Sequence, residues 1–130
     1  MKLVTDFYNY IEKIGIQKDA IYEENGNEFT LVSFSEEGEK ELAYNIALVL
    51  YSNDDIVEIY IRKPIQENYE LSILKRLNLL NSEYCGVTFC YENDIVCVKS
   101  CCKTSGNIEI AFAQLVQNMQ LAKTEFPKFS

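Results

Sequence analysis

Residues 43–62 read AYNIALVLYSNDDIVEIYIR: two apolar runs, Ala43 to Tyr51 and Ile56 to Arg62, flank Ser52-Asn53-Asp54-Asp55. The runs are rich in β-branched and aromatic side chains and the residues between them are turn formers, so the stretch predicts a β-hairpin. With Tyr51 opposite Ile56, the register sets Val49 against Glu58, Ala47 against Tyr60 and Asn45 against Arg62 on one face. Leu50 with Val57, Leu48 with Ile59 and Ile46 with Ile61 fall on the other. The second set is wholly aliphatic and is assigned to the core, because successive strand side chains alternate faces.

Working outward, Leu3, Phe7, Ile11 and Ile14 recur at helical spacing, and Gly15 is a natural stop for that first helix. Residues 16–27 give no clear element. Asn25-Gly26 is a turn signal before a strand from Glu28 to Phe34, and Glu36-Glu37-Gly38-Glu39 reads as a charged turn. After the hairpin, Lys63-Pro64 ends the strand. Tyr69, Ile73, Leu74, Leu77 and Leu80 mark a second helix from Glu67 to Leu80, broken by Asn81-Ser82. A second hairpin follows, Cys85 to Tyr91 and Ile95 to Cys101 around Asn93-Asp94. Its register puts Val87, Phe89, Tyr91, Val96 and Val98 on one face and Thr88, Cys90, Ile95, Cys97 and Lys99 on the other. Thr104-Ser105-Gly106-Asn107 then opens a third helix whose inner face is Ile108, Phe112, Leu115, Met119 and Ala122, ending before Pro127. The predicted order is α-β-β-β-α-β-β-α over one domain, 1–130. This is an α+β fold in which an antiparallel sheet is packed by helices.

Composition narrows the function. The chain has 130 residues, 48% apolar and 12% aromatic, enough for a core without metal or disulfide support. It contains no histidine, which excludes Ser-His-Asp and Cys-His nucleophile pairs, imidazole zinc sites and histidine general bases. The five glycines are scattered, at 15, 26, 38, 86 and 106, so there is no phosphate-cradling loop. Asp54-Asp55 and Asn93-Asp94 lack the alternation of a calcium loop. Residues 1–60 carry a net charge of −9 and residues 61–130 a net +1, within −8 overall. Without a Lys/Arg stripe, nucleic-acid binding is excluded. No secretory signal or apolar span is apparent, so the reading is cytoplasmic, not membrane-bound, with reduced thiols.

Two features carry candidate sites. The non-core hairpin face presents Val49, Tyr51, Ile56 and Tyr60 where an exposed sheet face would normally be polar; these are candidates for a dimer or partner surface. The cysteines offer the alternative. Cys90 and Cys97 oppose one another across the second hairpin, with Cys101 and Cys102 at the end of the same strand. Together they form a candidate thiol cluster for redox or metal sensing. Their odd number and the lack of Cys-x-x-Cys argue against a disulfide framework, and their spacing does not supply the paired turns of a structural zinc site. No metal, cofactor or catalytic residue is assigned.

From Asn78 to Phe129 the chain resembles the YbjN-like family of bacterial sensory-transduction regulators, which share the type III secretion chaperone fold. The resemblance lies in Leu79-Leu80-Asn81, in the hairpin around Gly86-Val87-Thr88-Phe89, and in Ser105-Gly106-Asn107 opening a long last helix with Met119 near its centre. It implies a non-enzymatic protein-binding module acting as a homodimer on a protein partner. In this family the helix between the third and fourth strands contributes to dimerisation, which points to Leu71, Leu74 and Leu77.

Overall fold

In the computed structural model, which describes residues 2–36, 43–65 and 70–129, the order along the chain is α1 (Lys2–Lys13), a short 3-10 turn (Lys18–Ala20), β1 (Tyr22–Asn25), β2 (Phe29–Glu36), β3 (Tyr44–Tyr51), β4 (Ile56–Pro64), α2 (Glu70–Glu83), β5 (Thr88–Glu92), β6 (Ile95–Lys103), α3 (Ile108–Glu125) and a terminal 3-10 turn (Phe126–Phe129). The strands form one six-stranded sheet in the order β1-β2-β3-β4-β6-β5. Every neighbouring pair is antiparallel. The α+β architecture read from the sequence is therefore present, with one strand more than expected.

The hairpin register is the one the alternation demands, from Asn45 opposite Arg62 to Leu50 opposite Val57. Ile46, Leu48, Leu50, Val57, Ile59 and Ile61 are all buried. They meet Leu3, Phe7 and Ile11 of α1, Ile73, Leu77 and Leu80 of α2, and the inner side of α3 in one continuous cluster. The three helices thus share one side of the sheet. On α3, Asn118 is 1% exposed yet satisfied. Its amide donates to Ser100 Oγ at 2.7 Å and its oxygen accepts from Gln114 at 2.9 Å, as a buried polar group requires.

The ends of elements follow local chemistry. Gly15 takes φ +86°, and Ile16 N–H to Ile11 O (2.9 Å) with Gly15 N–H to Glu12 O (3.2 Å) makes the double cap that closes an α-helix through a left-handed residue. Ile14 then lies past the last helical residue and is 48% exposed, not on the buried face expected for it. Asn93 and Asp94, both at positive φ, form the two-residue turn that matches strand twist. Asn107 caps α3 by accepting Glu109 N–H at 3.0 Å.

Several boundaries differ from the sequence reading, among them the ends of β2 at Glu36 and of β6 at Lys103, each two residues beyond the expected end. The undecided stretch supplies β1, paired with β2 from Tyr22↔Ser33 to Asn25↔Thr30. β4 runs through Pro64, opposite Ile95. β5 starts only at Thr88, after Gly86 has turned the chain at φ +84°. Asn81 and Ser82 do not break α2, which continues to Glu83. Asn81 is accommodated within the helix because its side chain bonds outside it: it accepts Phe89 N–H at 2.7 Å and donates to Phe89 O at 3.0 Å. It thereby occupies backbone groups on the free edge of β5, one of the ways a sheet edge is protected from stray pairing. The expected turn at 37–39 and the expected helical start at Glu67, with Tyr69, lie outside the described residues.

Candidate protein-contact surface

With all three helices on one side, the opposite face of the sheet carries no described helix, and the ladders fix which side chains populate it. One row across the sheet is Tyr22, Ser33, Ala47, Tyr60, Lys99 and Thr88. The next is Glu24, Leu31, Val49, Glu58 and Cys101. On the other side lie Ser35, Asn45, Arg62, Cys97 and Cys90. Val49, Tyr51, Ile56 and Tyr60 are each half-buried, screened by one another and by their row neighbours, not by a helix. Phe29 extends the apolar band beside Tyr51 and is 38% exposed.

At the centre of this face two tyrosine hydroxyls converge on one carboxylate. Tyr51 donates to one oxygen of Glu58 and Tyr60 to the other, at 2.7 Å. The hydrogen bond from Tyr51, then that from Tyr60, holds the Glu58 carboxyl below its ordinary value against partial burial, with Lys99 adding a favourable charge. The same bonds push both tyrosine hydroxyls upward. Beside them, Arg62 bonds Asn45 Oδ1 through Nη2 at 2.5 Å and Nε at 3.2 Å. Hydrogen bonds to an ionised group are the stronger kind, so the two rings stand in fixed orientations.

A pH dependence follows. A carboxyl depressed in the folded state stabilises the fold above its unfolded value, and that contribution is lost as pH falls through the folded value. Tyr60, raised in the folded state, contributes below its unfolded value and loses that contribution only as alkaline pH passes the raised one. Glu58→Gln is therefore expected to lower the melting temperature at pH 6, and the gap to the native chain is expected to close progressively down to pH 3. Thermal melts over that range check it; a constant gap contradicts the assignment.

The charged side chains on the face balance: Glu24, Glu58 and Glu92 against Arg62, Lys99 and Lys103. Among the described residues the strand side chains on this face are therefore neutral in sum, within a chain that carries −8 overall.

The other candidates are dispersed. Cys90 and Cys97 do oppose one another, but Cys101 lies four residues along the strand from Cys97, about 13 Å away, and Cys102 projects to the helix side opposite Val57. The four expected thiols therefore do not form one cluster, and no group of three or more potential metal ligands occurs among the described residues. On α2, Leu71 and Leu74 are 66% and 48% exposed, whereas Leu77 is consumed by the core at 6%. The sequence reading placed Glu58 and Arg62 on this face but did not bring Lys99 to it, because it did not pair β4 with β6. It did not anticipate that Tyr51 and Tyr60 both bond Glu58, although Val49 was already placed opposite Glu58 with tyrosines on either side.

No described helix is long and apolar enough to cross a membrane. No family model matches the chain, and no curated protein or solved structure matches it at the significance such a comparison requires.

Proposed function

We propose that this chain is a non-enzymatic, cytoplasmic protein-binding module, chaperone-like or regulatory in the manner of the YbjN-like proteins it resembles, acting as a homodimer whose seam is the helix-free sheet face. The observation that carries this reading is the band of Val49, Tyr51, Ile56 and Tyr60 on a sheet face that no described helix covers. Aromatic and aliphatic side chains held in place, with their polar ends bonded to one another, are the usual anchors of a contact surface.

Charge supports a second copy as the occupant. Two molecules of net −8 repel, except where they approach through a neutral face. Size agrees with this choice. Six strands of four to nine residues, about 4.8 Å apart, present roughly 650 Å² in projection, close to the ~800 Å² per partner of a standard interface. The acidity left on the outside of such a dimer favours a basic segment of another protein as its partner.

The test is a charge in the seam. Tyr60→Asp puts a second carboxylate beside Glu58 and removes a ring from the centre of the face. It is expected to weaken self-association at least tenfold in sedimentation equilibrium while leaving a folded monomer, because Tyr60 contributes nothing to the helix-side core. Unchanged association in a folded variant would refute the assignment.

A further inference from the structure

Of the five cysteines, Cys90 and Cys97 are the two that the ladder sets face to face, and their backbone setting can be derived. Phe89 gives both its N–H and its C=O to Asn81, so those groups point away from β6. Bonding alternates along an antiparallel ladder, so the next residue, Cys90, turns its backbone groups toward β6 and forms a hydrogen-bonded pair with Cys97. Opposite residues in such a pair have Cα atoms about 5.5 Å apart, inside the range that a disulfide spans. Their Cβ atoms stand about 1.7 Å further apart than in a relaxed disulfide. The deficit falls on the edge strand β5 beside a two-residue turn, so closing it takes an inward shift of β5 at Cys90 that strains the bond formed.

We propose that Cys90 and Cys97 are a reversible dithiol–disulfide site, oxidised by a small-molecule disulfide of the glutathione class. The Cys90 thiolate attacks one sulfur of oxidised glutathione; the S–S bond breaks, and one glutathione leaves as a thiolate that takes a proton from solvent. Cys97 then gives its proton to solvent and attacks the Cys90 sulfur, forming the Cys90–Cys97 bond and expelling the second glutathione. Two electrons pass from the protein dithiol to the glutathione disulfide, which leaves as two reduced molecules.

The surroundings set the order of events. Cys90 is half-exposed and Cys97 is 8% exposed, so the external disulfide reaches Cys90 first. Burial, and then the charge of Cys90, push the Cys97 thiol up to about 12, while Arg62 and Lys99 oppose the rise. Conversion of Cys90 to a neutral mixed disulfide removes its share of that push and leaves both cations in place. Exposed Cys85 and Cys101 have no thiol opposite them and should stop at the mixed-disulfide stage. The Cβ mismatch makes the closed bond easy to reduce, as strained and accessible disulfides are.

The experiment treats the reduced full chain with oxidised glutathione and maps the products by mass spectrometry of peptides. A Cys90–Cys97 linked peptide is expected, reversed by dithiothreitol, with closure accelerating about tenfold per pH unit between pH 7 and 9 as the thiolate fraction grows. Cys97→Ser is expected to leave Cys90 carrying glutathione. Cys90 and Cys97 lie on the face proposed as the dimer seam, so the treatment is repeated on Tyr60→Asp, which leaves that face open. Persistent glutathione on Cys90 in that variant, or an unreacted Cys90 there while Cys85 and Cys101 are modified, would overturn the proposal, whereas protection in the native chain alone reports the seam.

Discussion

Replacing Ile59 with alanine is expected to destabilise the fold by about 4 kcal/mol and to leave little folded protein at 37 °C. Ile59 is fully buried at the centre of β4, between Leu48 on β3 and Ser100 on β6, under the helix layer. Removing three side-chain carbons there loses their transfer energy and leaves a cavity that the close-packed sheet and helices cannot collapse around. Val49→Ala is the control, one row away on β3 but on the helix-free face; it is expected to cost under about 1 kcal/mol in the monomer. Urea denaturation of both variants separates the faces. Equal losses would mean that Val49 is also under a helix, and the account of two unlike faces would fail.

Arg76→Met is expected to cost about 2–3 kcal/mol, more than its partly exposed position suggests. The reason is Glu125, whose side chain is 4% exposed at the end of α3 and is met by Arg76 at 3.4 Å and Lys128 at 2.9 Å. Both contacts fall on Oε1, while Oε2 is buried without a hydrogen bond. Removing Arg76 takes away half of the compensation for a charge already incompletely satisfied. The double variant Arg76→Met/Glu125→Leu is expected to recover most of the loss, since a paired charge replaced by apolar volume on both sides can be neutral. Chemical denaturation of the single and double variants gives the coupling directly; additive losses would show that the two residues do not share one interaction.

The central hairpin was legible because its two faces differ chemically. A one-residue slip would have put Ile46, Leu48 and Leu50 on the face of Glu58 and Arg62, so alternation left one register. β1 was not legible, because Tyr22-Glu23-Glu24-Asn25 has no apolar alternation and all four residues are exposed. It is held by its ladder to β2, by Tyr8 donating to Glu23 at 2.6 Å and by Thr30 donating to Asn25 at 2.9 Å, none of which a hydrophobic pattern can reveal. Asn81 looked like a helix breaker because free asparagine competes for local backbone bonds, and its bond to Phe89 depends on where β5 ends up. The contact face was half legible. The apolar members stood out against an expected polar face, but the Tyr51–Glu58–Tyr60 grouping needs two rows read together. The dispersal of the cysteines was available in the sequence: Cys101 and Cys102 are consecutive on a strand and must point to opposite faces.

The most direct measurement is the absolute mass of the native chain by light scattering after size exclusion, with reductant present so that no disulfide contributes. A mass near twice the 15.0 kDa chain, maintained on dilution to low micromolar concentration, is the result expected of a pair joined through the neutral sheet face. A monomer of 15.0 kDa at millimolar concentration would contradict the homodimer and, with it, the choice of a second copy as the occupant of that face.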